Sequence, residues 1–162
     1  MFQDEGRFGT LTSLGREWHA KGENFTVKIK QGRKSMYSYA AVSPKTGDMV
    51  MSNHEKSNTE AMSDFLQNIV ASFKEKPILL IMDRAAWHTT AKLIVPKTIS
   101  ILLLPPTSPQ LNPVEHLWKH IRTEKFHNVI FDAIEDVYQA VNEAILELTK
   151  DALKTLCSCS YL

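Results

Sequence analysis

The sequence has few cysteines, no long apolar run and almost no net charge. Only two of its 162 residues are cysteines, Cys157 and Cys159, so no disulfide framework is expected and a reducing cytoplasm is the default compartment. The longest apolar runs, residues 77–82 and 99–106, are far shorter than the roughly 20 residues of a membrane-spanning helix. The first residues show no basic-then-apolar signal sequence. Nineteen basic and eighteen acidic residues exclude a uniformly basic nucleic-acid clamp, although a local basic stripe is still allowed.

Apolar patterning predicts an α/β sandwich with a mixed sheet. Hydrophobic residues make up 43% of the sequence, which is enough for the core of a single domain over residues 1–162. Alternating and continuous short apolar runs, separated by helical stripes, favour this class. The predicted strands are residues 35–42, 49–52, 77–82 and 99–104, with residues 25–30 as a weaker candidate.

Capping signals and helical stripes predict the helices. Ser57 opens one capping box and Asp132 opens another, and apolar residues follow each of them at steps of three and four. Pro113 suits the first turn of a third helix, which Asn112 is placed to cap. A short helix is also predicted over residues 89–95.

Two carboxylates lie where such a fold binds ligands. Asp83 follows the apolar run 77–82, and open α/β sheets bind ligands at the carboxyl ends of their strands. Glu115 lies in the first turn of the helix that follows the rigid, proline-rich loop 105–113. Each also has a purely structural explanation, since aspartate caps turns and glutamate stabilises a helix N-terminus. If the two face each other they repel unless a cation or proton lies between them, and converging carboxylates suit Mg²⁺.

Four segments carry more specific motifs. They are residues 2–9 (FQDEGRFG), 16–22 (REWHAKG), 81–88 (IMDRAAWH) and 104–118 (LPPTSPQLNPVEHLW). The last is the most specific, because a proline-bound loop that ends in Asn-Pro-x-Glu before a helix is hard to obtain by chance. With these motifs the chain resembles the catalytic domain of insertion-sequence transposases of the mariner-like DDE superfamily.

The resemblance implies a ribonuclease H-like fold and a DNA-cleaving site. It implies that Asp4, Asp83 and Glu115 are the catalytic carboxylates and hold Mg²⁺ (or Mn²⁺), as two ions roughly 3.5–4 Å apart. The implied chemistry is cleavage of DNA phosphodiesters by water, followed by joining of the freed 3′ hydroxyl to target DNA. Four further residues are implied to support the carboxylates or position the substrate: Glu5, Arg7, His88 and Asn112.

Basic residues near the predicted site are candidates for phosphate contacts. Lys119 and Arg122 extend from Glu115 along its helix, where they either contact DNA or form a solvated face. Arg84 stands where the family commonly has a small or amide residue, so it could contact DNA, pair with a carboxylate or weaken metal binding. A second basic stripe, either tracking DNA or simply solvated, consists of Lys28, Lys30, Arg33 and Lys34.

The chain also departs from the family pattern at its start. We expect the chain to lack the helix-turn-helix half that normally precedes the catalytic domain, and its first strand to be nearly cut away. Residues 132–162 are expected to be the C-terminal helical end of the same domain. DNA is the expected partner, together with a second copy of the chain or a separate DNA-binding chain. The alternatives are a hydrolysis-only ribonuclease H-like nuclease and a catalytically silent module that acts with a DNA-binding partner.

Two other signals have structural interpretations. His116 and His120 have the spacing of a chelating pair, but no third ligand is evident, so a zinc site is not expected. Trp87 and Trp118 flank the predicted site, and core packing is the preferred interpretation for both.

Overall fold

The computed structural model describes residues 1–16, 18–22, 26–74 and 76–159. Within these ranges, none of the helices has the length and hydropathy needed to cross a bilayer. Cys157 and Cys159 are free thiols, as the sequence predicted. The elements in chain order are the strands β1 (Phe2–Gly9), β2 (Ser35–Val42) and β3 (Met49–His54), helix α1 (Thr59–Ser72), strands β4 (Ile78–Met82) and β5 (Ile99–Leu103), and helices α2 (Val114–Lys125), α3 (Ile134–Leu146) and α4 (Lys150–Leu156).

The strands form one mixed sheet in the order β3-β2-β1-β4-β5. β1, β2 and β3 are antiparallel neighbours, whereas β1, β4 and β5 run parallel. β1 is central and pairs with β2 over all eight of its residues, so the expectation of a nearly missing first strand is wrong. Phe2 pairs with Ile81, and two further residues along each parallel strand bring Asp4 level with Asp83.

Two hydrophobic cores hold the layers together. α1 packs on one face of the sheet, and α2 and α3 pack on the other face over β1 and β2. Burying each large side chain contributes about 1.5–3 kcal/mol. The fully buried side chains of the first core include Tyr39, Met62, Phe65, Leu66 and Ile69, and those of the second include Met36, Leu117, Trp118 and Ile121.

One face of β4 and β5 stays partly open. Leu79 is 52% exposed and Leu102 is 51% exposed, because α2 and α3 lie over β1 and β2 and do not extend to this edge of the sheet. Continuous apolar runs such as residues 77–82 and 99–104 are typical of strands buried on both faces, so this open face departs from what the sequence indicates. The other face is covered, with Leu80 and Met82 buried in the α1 core.

Two helices begin later than their capping boxes predicted. Asn58, not Ser57, is the N-cap of α1, since its Oδ1 accepts a hydrogen bond from the Ala61 N–H at 2.9 Å. α3 begins after Ala133, whose N–H donates to Asp136 Oδ2 at 2.9 Å. The predicted cap Asp132 instead forms an ion pair with Lys30, whose Nζ lies 2.7 Å from Asp132 Oδ1.

Two other predicted elements are not formed, and one helix was missed. Residues 89–95 make turns rather than a helix, because Thr90 Oγ1 takes the Lys92 N–H and Pro96 blocks continuation. Residues 26–30 form no strand, and residue 25 lies outside the described residues. The short helix α4 is capped by Thr149 Oγ1, which accepts from the Ala152 N–H at 3.2 Å.

Candidate active site

A cavity of about 300 Å³ opens at the sheet edge where β4 ends and α2 begins. It brings the three predicted carboxylates, Asp4, Asp83 and Glu115, to one space. In the described part of the chain, no three acidic, histidine or cysteine side chains lie close enough together to hold a metal ion as they stand. The remaining walls of the cavity are Arg84, Ala85, Asn112 and residues 104–109.

β1 presents Asp4 to this cavity and Trp118 holds it there. The indole N–H of Trp118 donates to Asp4 Oδ2 at 2.9 Å. Burial, reinforced by the negative charges of Glu115 and Glu5, raises the pKa of Asp4 to about 8. Without a cation beside it, Asp4 therefore holds a proton at neutral pH.

The Trp118 ring packs against Gly6, which has no side chain to occupy that space. A Cβ at this position would stand 2.8 Å from Trp118 Cδ2 and 2.8 Å from Phe8 Cε2. We expect Gly6→Ala to displace the indole, weaken its bond to Asp4 and destabilise the fold by about 1–3 kcal/mol, the usual range for overpacking. Thermal unfolding followed by circular dichroism measures this loss.

A Trp118→Leu background supplies the control for Gly6→Ala. The added methyl group should cost less there, because the indole atoms that it meets are gone and only the contact with Phe8 Cε2 remains. An equal loss of stability in both backgrounds would contradict the close contact between Gly6 and the indole.

Asp83 is held by a buried histidine. Asp83 Oδ1 accepts from the Ala85 N–H at 3.0 Å and lies 2.9 Å from His88 Nδ1, while His88 Nε2 lies 2.8 Å from Glu5 Oε1. Burial acts to lower the pKa of His88, but the hydrogen bonds to Asp83 and Glu5 outweigh it and raise this pKa to about 9. The hydrogen bond from His88 in turn lowers the pKa of Asp83, which therefore stays ionised.

A buried amide connects β1 to the start of α2. Asn112 Nδ2 donates to the Gln3 carbonyl at 2.8 Å, and Asn112 Oδ1 accepts from the Val114 N–H at 3.2 Å. Asn112 was predicted to cap α2, and its side chain does accept the first N–H of the helix, but the N-cap residue itself is Pro113. Because Gln3 precedes Asp4 and Val114 precedes Glu115, this side chain fixes the first carboxylate relative to the third.

Arg84 brings a positive charge to the rim of the cavity. Its Nε donates to the Leu104 carbonyl at 3.1 Å, which ties the end of β4 to the residue after β5. None of the ion pairs found among the described residues involves Arg84. The guanidinium group is thus available to an anionic ligand.

Other predicted basic residues lie away from the cavity. The Arg122 guanidinium carbon lies 5.3 Å from the centroid of the Phe8 ring and packs on it. Arg7 lines a separate cleft with Arg33 and Lys34. Neither Arg7 nor Arg122 lines the space around the carboxylates.

The histidine pair of α2 is part of another surface cleft. Lys119 lines this cleft with His116 and His120, so Lys119 also lies outside the candidate site. His116 Nδ1 donates to the Leu156 carbonyl at 3.0 Å, which is a structural contact between α2 and α4.

Sequence reasoning missed the polar roles of both tryptophans. The Trp118 ring is buried in the core as predicted, but its N–H binds Asp4. The Trp87 N–H likewise donates to Glu5 Oε1 at 3.2 Å. A signal was available, because a buried indole N–H requires an acceptor and both rings adjoin predicted acidic residues.

Comparison with known proteins identifies relatives of the chain. A family model described as DDE superfamily endonuclease matches residues 1–138. The uncharacterized protein y4pE/y4sA of Sinorhizobium fredii is 39% identical over 102 residues, which cover 62% of this chain and 76% of that protein. The Tcb2 transposable-element transposase of Caenorhabditis briggsae is 23% identical over 177 aligned positions, which cover 97% of this chain and 65% of that protein.

Solved structures share the fold. The Mos1 transposase paired-end complex with left transposon end matches 96% of this chain and 50% of that chain, with a TM-score of 0.69 and 15% identity. The Mos1 mariner paired-end complex with Mg also matches 96% of this chain and 50% of that chain, with a TM-score of 0.69 and 14% identity. The predicted ribonuclease H-like fold is confirmed. This chain spans about half the length of these solved chains.

Proposed function

Since the chain belongs to the DDE superfamily of endonucleases, we propose that it is a metal-dependent transposase catalytic domain acting on DNA. Water would attack the phosphorus of a DNA phosphodiester, and the bond to the 3′ oxygen would break. The resulting 3′ hydroxyl would then attack a phosphorus of target DNA and displace the 3′ oxygen of that phosphodiester. The observation that carries the proposal is the single cavity lined by Asp4, Asp83 and Glu115. The Tcb2 transposase and the Mos1 complex with a transposon end support DNA as the substrate.

The donor set of the cavity fits a hard divalent cation. Three carboxylates face it. Burial, and after it the negative charges of Glu115 and Glu5, raise the pKa of Asp4, so a cation beside Asp4 would stabilise its ionised form. We therefore propose that Asp4, Asp83 and Glu115 are the ligands of Mg²⁺ or Mn²⁺, and that the site binds two ions. When bound, the metal would activate the attacking water and stabilise the leaving oxygen.

The remaining groups of the cavity would orient the substrate. Arg84, at the rim, is placed to bind a phosphate oxygen, and such contacts position DNA without reading its sequence. His88 and Trp118 would keep the carboxylates in place, through the hydrogen bonds described above. The wall formed by residues 104–109 contains three prolines, which makes this side of the cavity rigid.

Mg²⁺ is expected to raise the melting temperature of the chain. A ligand at 100 times its Kd stabilises the native state by about 2.7 kcal/mol, or roughly 5–10 °C for a domain of this size. Differential scanning fluorimetry in MgCl₂ or MnCl₂, with NaCl at matched ionic strength as the control, measures the shift. An unchanged melting temperature in millimolar divalent metal would contradict the metal site and favour the catalytically silent module.

Nicking of supercoiled plasmid DNA in Mg²⁺ or Mn²⁺ tests the proposed activity. Joined products support transposition, whereas nicked products alone support the hydrolysis-only nuclease.

We propose that residues 1–162 act as one catalytic domain, with residues 132–162 as its helical end. Because the chain spans about half the length of the solved Mos1 chains, the nicking assay is run with this protein alone and with a separate DNA-binding chain added. Size-exclusion chromatography of the protein–DNA complex tests whether it contains a second copy of the protein.

A further inference from the structure

Glu5 is a buried acid that the cavity does not use. Neighbouring residues of a strand point to opposite faces of the sheet, so Asp4 faces the cavity and Glu5 faces the α1 side. The Glu5 side chain is only 8% exposed, and it is not among the residues that line the cavity. A direct contact between Glu5 and a ligand of the carboxylates is therefore not expected.

His88 connects Glu5 to Asp83. Its side chain is fully buried, with Nε2 2.8 Å from Glu5 Oε1 and Nδ1 2.9 Å from Asp83 Oδ1. Nδ1 also lies 3.3 Å from the Asp83 carbonyl. Since both ring nitrogens are engaged, the imidazole has one fixed orientation, and Glu5 sets it from the side away from the cavity.

The contacts of Asp83 are unequally divided between its two oxygens. Oδ1 receives both the Ala85 N–H and His88 Nδ1. Among the described residues, Oδ2 takes part in none of the hydrogen bonds or ion pairs found for this side chain. The side chain is 55% exposed, so Oδ2 remains available to the cavity.

We propose that Glu5 is a positioning residue that, through His88, fixes Asp83 Oδ1 and leaves Oδ2 free to bind the metal. This inference rests on the proposed function, in which Asp83 is a metal ligand. The same logic holds for metal-bound groups generally, where loss of the partner behind a ligand lowers metal affinity about 10–100-fold.

Two substitutions of Glu5 in the full chain test the proposal. Glu5→Leu removes the acceptor for His88 Nε2, whereas Glu5→Gln keeps an oxygen at nearly the same place. We expect Mn²⁺ affinity, measured by electron paramagnetic resonance without DNA, to fall about 10–100-fold in Glu5→Leu and less in Glu5→Gln. In ¹H–¹⁵N spectra, the slowly exchanging Nε2–H signal of His88 should be lost in Glu5→Leu and shifted in Glu5→Gln.

The controls separate this inference from the proposed function. Glu60→Leu removes an exposed acid of α1 and should leave both Mn²⁺ binding and the His88 signals unchanged. If Asp83→Asn abolishes Mn²⁺ binding while both Glu5 variants bind as the wild type does, the role of Glu5 is refuted and the metal site stands. If Asp83→Asn also binds normally, the proposed metal site itself fails. Should Glu5→Leu not fold, Glu5→Ala decides, because it also removes the acceptor for His88 Nε2, and wild-type Mn²⁺ affinity in that variant overturns the proposal.

Discussion

Replacement of Asp83 by asparagine is expected to lower the rate of Mg²⁺-dependent DNA nicking about 10³-fold while the fold persists. Asparagine has nearly the same shape as aspartate, and its side-chain oxygen can still accept from the Ala85 N–H. The change removes the negative charge that faces the cavity. Loss of about 4 kcal/mol of metal-mediated transition-state stabilisation corresponds to this factor. The rate at which excess protein converts supercoiled to nicked plasmid measures it.

Asp64→Asn is the matched control for this experiment. Asp64 is an exposed residue of α1 that does not line the cavity, so the same chemical change there should leave nicking unaffected. Circular dichroism and thermal unfolding show whether both variants keep the fold. Equal, wild-type nicking rates in both variants would rule out Asp83 as a metal ligand.

The residues of the candidate site were more predictable than their geometry. The motif around Glu115 and the strand end at Asp83 were visible in the sequence, and both residues reach the cavity. Asp4 had only its motif, because position near a chain start says little about structure. Its place depends on the parallel pairing of Phe2 with Ile81, a contact between distant segments that no local pattern encodes.

The missed features depend on tertiary contacts. Asp132 has the sequence of a helix cap, but Lys30 takes its carboxylate and Asp136 caps the helix instead. Residues 89–95 have helical composition in part, yet the Thr90 hydroxyl accepts the Lys92 N–H and so competes with a helix. The link from Glu5 through His88 to Asp83 joins β1 to the loop that follows β4, so it becomes visible only when the sheet is assembled.

Asp4→Asn is expected to inactivate the protein and, without divalent metal, to stabilise it. In the folded chain, burial and the charges of Glu115 and Glu5 raise the pKa of Asp4 to about 8, from its usual value of 3.8. Between these two pH values the folded protein holds a proton that the unfolded chain has released. The free energy of unfolding therefore falls as pH rises from about 4 to about 8, and folding above pH 8 must bury the charge.

Asparagine is uncharged at every pH, so the free energy of unfolding of Asp4→Asn does not fall in this way as pH rises. Because its amide N–H groups must still be accommodated, we expect a net gain of about 1–3 kcal/mol at pH 8 and little difference near pH 4. Melting temperatures from pH 4 to pH 9 in a metal chelator measure the gain, with Asp64→Asn as the exposed control. Mg²⁺ should reverse the order at pH 8, since it binds the carboxylate of the wild type and has lost that ligand in the variant. If the wild type and Asp4→Asn differ in stability by the same amount at every pH, the cost of burying the charge of Asp4 is not the cause of the difference.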